Sequence, residues 1–151
     1  MTRVSSAVAI CLLLPATAFA SLGGTVTSVE TDRVQMKAAL VGITQRGAYT
    51  VHTIQSPTGT TIREYYGTDG VIFGVAWEGA WQPDLRQLFG TYFDRYQGAL
   101  QAARKARRAR GQVAIDDGTV VVQIGGHLGS VTGAAYVPRL LPASVDAGVI
   151  K

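Results

Sequence analysis

From residue 48 onward, short apolar runs alternate with turn residues. "AYTVHTIQ" (48–55), "TTIREYY" (60–66) and "VIFGVAW" (71–77) are rich in β-branched and aromatic side chains. Ser56-Pro57-Thr58-Gly59 and Gly67-Thr68-Asp69-Gly70 separate them. Runs of this composition, broken by Pro and Gly turn signals, predict an antiparallel meander. In the third run, strict alternation would set Val71, Phe73, Val75 and Trp77 on one face and Ile72, Gly74, Ala76 and Glu78 on the other. The large side chains then point one way, and the sheet has a core side.

At Pro83 the period lengthens. In "PDLRQLFGTYFDRYQGALQAARKARRARG", Leu85, Leu88, Phe89, Tyr92, Phe93, Tyr96 and Leu100 recur at three- and four-residue steps, the stripe of an amphipathic helix. Pro83 suits the first helical position and Asp84 the positive end of the helix dipole. Arg104 to Arg110 lies near the negative end, and Gly111 is a natural stop. Gly90 and Gly98 each weaken the helix by roughly 1 kcal/mol relative to Ala and mark a bend or a close approach. The crowding of aromatic residues from 70 to 96 is therefore read as the seam between a strand and a helix. Beyond it, "QVAI", Asp116-Asp117-Gly118, "TVVVQI" and "SVTGAAYV" predict a hairpin and a further strand. Pro138, Pro142 and "DAGVIK" read as a tail. "SVETDRVQMKAAL" (28–40) predicts a short helix capped by Ser28, with Glu30 and Asp32 in its first turn. The expected fold is α+β: an antiparallel sheet of about six strands, in two three-stranded meanders, with one long helix packed on it.

The first twenty residues stand apart. Arg3, an apolar run from Val8 to Leu14 and Ala18-Phe19-Ala20 read as a cleavable secretory signal, with cleavage after Ala20 and one small domain over 21–151. Cys11 is the single cysteine and would leave with the leader, so the mature chain would carry no disulfide, thiolate or cysteine metal site. No mature segment approaches the roughly 20 apolar residues of a membrane span. A periplasmic or secreted location follows.

Charge adds one local feature. Without Arg3, the 14 Lys+Arg become 13 against 10 Asp+Glu, a net +3. Arg104, Lys105, Arg107, Arg108 and Arg110 fall in one run, and the other 8 bases against 10 acids give −2. The run suits a helix end, or contact with an anionic envelope surface. Export argues against nucleic acid as its partner.

Catalytic signals are sparse. His52 and His127 are far apart and lack ligand spacing, so no metal site or cofactor is expected. "GTDG" and "GGHLGS" are not followed by helical patterns and read as turns between strands rather than phosphate cradles. No serine sits in a GxSxG context. Glu64 or Glu78 with Asp84 would be the acids of a hydrolase acting on envelope polymers, but their spacing does not show convergence. No catalytic residue is assigned. The candidate contact residues are Trp81, Tyr65, Tyr66, Arg104, Arg107 and Arg108. Trp81, in "EGAWQPDL", either offers an exposed anchor or staples onto Leu85 or Leu88.

"AYTVHTIQSPTGTTIREY", "GVIFGVAWEG", "PDLRQLFGTYFDRY" and "GAAYVPRLLP" together resemble an uncharacterised family of exported proteobacterial proteins, the domain of unknown function 2844. The resemblance covers most of the mature chain. It implies a signal peptide and one small domain, and brings no activity or catalytic residue. The expectation is an exported, non-enzymatic envelope protein that binds a ligand or another envelope protein. The hydrolase is the alternative.

Overall fold

The computed structural model describes residues 22–27, 34, 37, 39–106 and 112–151. The strands are β1 (Ala39–Gln45), β2 (Tyr49–Gln55), β3 (Thr61–Gly67), β4 (Ile72–Gly79), β5 (Val113–Asp116), β6 (Val121–His127) and β7 (Ser130–Tyr136). Between β4 and β5 lie α1 (Leu85–Phe89), a 3-10 turn (Gly90–Tyr92) and α2 (Phe93–Lys105). All seven strands form one antiparallel sheet in the order β1-β2-β3-β4-β7-β6-β5. The two meanders are thus joined where β7 returns to pair with β4, Gly74 opposite Tyr136 through Gly79 opposite Val131.

The expected helix over 28–40 lies largely outside the described residues. Its last two positions, Ala39 and Leu40, instead open β1, the strand that raises six to seven. Tertiary pairing explains this: Leu40 faces Ile54 and Ile43 faces His52 on β2.

The expected faces of β4 need correction. Tyr65 pairs with Gly74 and Tyr66 with Ile72, so Phe73 is the extra residue of a bulge. Across that bulge the side-chain alternation reverses. Ile72, Val75 and Trp77 join the helix-side core, while Phe73 packs on the other face with Tyr65, Ala76 and Ile150. Strand β4 is buried on both faces because both faces are covered.

The helix-side core follows the predicted stripe. Leu85, Leu88, Phe89, Tyr92 and Tyr96 are buried against Ile54, Ile62, Trp77, Ile115 and Val122. Phe89 lies 5.1 Å from Tyr96 and 5.9 Å from Trp77, centroid to centroid, within the range of favourable aromatic pairs. Asp84, rather than a residue before it, is the N-cap: its Oδ1 accepts from the Arg86 and Gln87 amides at 2.9 and 3.3 Å. Pro83 therefore precedes the cap. Gly90 marks the bend, with φ of 50°, and Gly98 sits inside α2 with open space around its Cα. The capping residue of α2 is Ala106, so the described helix ends before the predicted stop at Gly111.

The C-terminal segment is not a free tail. Val145, Val149 and Ile150 pack on the second core cluster, and the Tyr65 hydroxyl donates to the Lys151 carbonyl at 2.8 Å while accepting from the Lys151 amide at 3.2 Å. A Cβ placed on Gly74 would stand 2.6 Å from Ile150 Cδ1. Gly74 is the hollow into which Ile150 fits.

Candidate binding site

Because cross-strand neighbours share a face, the registers assign side chains across the sheet. On the helix side one row runs Ile43, His52, Glu64, Val75, Ala135, Val122, Ile115. On the other side the corresponding row is Gly42, Thr53, Arg63, Ala76, Ala134, Gln123, Ala114. The next row on that second face holds Gln55, Thr61, Glu78, Thr132 and Gly125. Residues 138–151 cover part of this second face. The rows through Arg63 and Glu78 are left with small and polar side chains.

Arg63 is the centre of this open area. It donates to the Lys151 carbonyl at 3.3 Å and faces Glu78 at 3.6 Å. On one side of it a shallow groove of about 500 Å3 is lined by Gln112, Gln123 and Thr132. On the other a groove of about 840 Å3 is lined by Thr44, Arg46, Tyr49 and Thr53. Arg63, Glu78 and Lys151 border both. The walls offer guanidinium, amide and hydroxyl groups, the donors and acceptors that orient a polar ligand.

The residues singled out from the sequence do not gather there. Trp81 lies on the loop between β4 and α1 with its side chain 63% exposed, while Leu85 and Leu88 are buried in the core. A ring left so exposed is not a staple. The Trp81 main chain is what is held: its carbonyl accepts from the Thr60 hydroxyl at 2.8 Å. Tyr65 is buried beneath the C-terminal segment, and Tyr66 is half-buried on the helix side, its hydroxyl 3.0 Å from His52 Nε2. The two tyrosines therefore occupy opposite faces. Arg104 is exposed in the last turn of α2. Arg107 and Arg108 lie outside the described residues.

The three acids weighed for hydrolysis sit in different settings. Glu64 is fully buried on the helix side, opposite His52 and Val75. Glu78 is on the other face with Arg63, and Asp84 caps α1. A sheet lies between the first two. His52 is buried and stacks edge-on against Tyr66 at 4.8 Å; burial lowers its pKa below the ordinary 6.5. The exposed His127 is at the β6–β7 turn, 3.0 Å from the Leu128 carbonyl through Nδ1. Among the described residues, no three His, Cys, Asp or Glu side chains are grouped so as to hold a metal ion. No helix among them is long and apolar enough to cross a membrane.

A family model described as a protein of unknown function, DUF2844, matches residues 18–150. The chain belongs to the DUF2844 family. No curated protein and no solved structure matches it. The DUF2844 match spans β1 to β7, α1 and α2, and nearly all of the C-terminal segment packed on the sheet.

Sequence reasoning missed Arg63 as a centre because "TTIREYY" read only as a strand. The position gains its meaning from the chain end laid beside it, 88 residues away.

Proposed function

We propose that this DUF2844 protein is an exported, non-enzymatic binding or accessory protein of the cell envelope, and that the open sheet face around Arg63 is where it binds. The observation that carries the reading is the pair of grooves meeting at Arg63, Glu78 and Lys151. They are shallow, and beside apolar side chains such as Val113, Ile124, Val51 and Val149 they offer Gln, Thr and Arg, which suits a ligand bearing hydroxyls or carboxylates. Against the hydrolase alternative, Glu64 or Glu78 with Asp84, stand the full burial of Glu64 and the use of the Asp84 carboxylate in capping α1. Export rests on the basic, apolar, Ala-x-Ala leader.

Native mass spectrometry of the protein gently purified from its own host's periplasm or medium tests this. The expected result is an added mass of a few hundred daltons or more, retained by the wild type and lost in Arg63→Ala. That variant should remain folded, since an exposed ion pair contributes only about 0–1 kcal/mol. A bare protein that also fails to bind envelope glycans or peptides in titrations would remove the reading. Turnover of such a polymer, abolished by Glu78→Gln or Asp84→Asn, would put the hydrolase in its place.

A further inference from the structure

The two ends of the sheet differ in kind. At one end are the turns joining β1 to β2, β3 to β4 and β5 to β6, and they carry Arg46, Asp69, Asp116 and Asp117. At the other are the start of β1, the β2–β3 turn, the exit from β4 and the β6–β7 turn. Pairings of Ala39 with Gln55, Thr61 with Glu78, Gly79 with Val131 and His127 with Ser130 place them side by side. The residues between the strands here, 56–60 and 128–129, include no Asp, Glu, Lys or Arg.

Among exposed polar residues such as Gln55, Thr58, His127 and Ser130, this rim presents large apolar side chains. Leu128 is 97% exposed at its hairpin tip and Trp81 63% exposed on the neighbouring loop; Leu40 and Val41 continue the line on β1. The acids nearby are Glu78, facing Arg63, and Asp84, capping α1.

The cationic end of α2 belongs to the same rim. Tyr92 meets Arg139, and Arg95 bonds Asp117 and Thr119 in the β5–β6 turn, so α2 begins at the far end. It then climbs beside β5, with Ala99 and Leu100 against the core that holds Val113 and Ile124. Nine residues beyond Arg95, roughly 13 Å along the helix axis, come Arg104 and then Lys105, both exposed. Strand β5 starts at this end too, because Val113 pairs with Ile124.

We propose that this rim docks end-on to an anionic lipid bilayer. Trp81 and Leu128 enter the boundary between headgroups and acyl chains, and Arg104 and Lys105 lie against the headgroup phosphates. Exposed apolar side chains at the tips of separate turns, with the exposed Arg104 and Lys105 at the same end, suit a fluid anionic surface that closes around each one. Tryptophan prefers the membrane interface, and cations beside it select negative lipid. This docking is independent of ligand binding on the open face.

The experiment uses the protein exported by its host and sedimented with vesicles of equal parts phosphatidylglycerol and phosphatidylethanolamine, or of phosphatidylcholine alone. Trp77 is buried and Trp81 exposed, and these are the only two tryptophans, so a change of emission on adding vesicles reports Trp81 over the constant signal of Trp77. The expected result is sedimentation with the anionic vesicles only, a blue shift of emission, and loss of binding as salt rises. Leu128→Asp and the pair Arg104→Glu, Lys105→Glu should each weaken binding by about tenfold or more. Trp81→Ala should weaken it and abolish the shift. All are surface changes, and unchanged circular dichroism and Tm would show the fold intact. Because every variant shares the same N-terminus, the comparison isolates the rim. Absent or lipid-indifferent sedimentation, an unshifted Trp81, or variants that bind like the wild type would overturn the proposal. Retention on heparin without vesicle binding would also overturn it, and would assign the basic end to a soluble polyanion.

Discussion

The docking of Ile150 in the hollow at Gly74 can be tested by a double-mutant cycle. In Gly74→Ala the new Cβ would stand 2.6 Å from Ile150 Cδ1, 3.1 Å from Cγ1 and 3.4 Å from Cγ2. Overpacking of this sort costs about 1–3 kcal/mol, and here the lower part of that range applies, because the closest atom ends a side chain on the outer C-terminal segment. Ile150→Val removes that same Cδ1 from a side chain 6% exposed, at a cost of about 0.5–1.5 kcal/mol. If the two residues meet as described, the double variant loses less than the sum of the singles, since the methyl that collides is gone. The expected coupling is about 1 kcal/mol, well above the ~0.3–0.5 kcal/mol scatter of independent sites. Urea unfolding of the four proteins, followed by circular dichroism at constant m, supplies the free energies. Additivity within that scatter would refute the contact. A near-zero cost for Ile150→Ala, where about 2–5 kcal/mol is expected for a buried isoleucine, would show that the segment does not dock.

Further outcomes follow from other positions. Gly98→Ala, with nothing within 4 Å of the added Cβ, should stabilise the protein by about 0.8–1 kcal/mol in thermal unfolding; Gly90→Ala, at φ 50°, should destabilise it. Main-chain donation from Val120, then from Thr119, together with Arg95, outweighs burial and holds the Asp117 carboxyl below its ordinary 3.8. Its contribution is fully present above that value and is lost as pH falls through the lower folded value. The stability gap between wild type and Asp117→Asn should therefore narrow on acidification, as read from Tm at neutral pH and near pH 3. Burial disfavours the His52 imidazolium, so its ring should titrate below 6.5 by NMR. The unfolded chain then takes up that proton first, and stability falls as pH drops from 6.5 toward the folded value, with Glu64 and Tyr66 the groups facing the ring.

Six of the seven strands and the helical stripe were legible in the sequence because their apolar spacing is local. The Asp116 and Asp117 carboxylates turn the β5–β6 hairpin by accepting from the Gly118, Thr119 and Val120 amides, at most three residues away, and Leu85 to Tyr96 declare a helix face by their period alone. Strand β1 was not legible: residues 39–45, ALVGITQ, become a strand through pairing with β2, and their preceding run carries helix-cap signals. Nor was the second face of β4, because a one-residue bulge at Phe73 moves every side chain beyond it to the opposite side. The candidate site divides in the same way. The sequence by itself determined which side chains are available, an aromatic between strand and helix at Trp81 and a basic run after a helical stripe. Only the tertiary structure decided that Tyr65 clamps the chain terminus and that Glu64 and Glu78 face apart. It also made Arg63 the border of two grooves, and drew Trp81 and Leu128 onto one rim with Arg104. Those relations join residues far apart in the chain, and a sheet that pairs its two meanders through β4 and β7 is what brings them together.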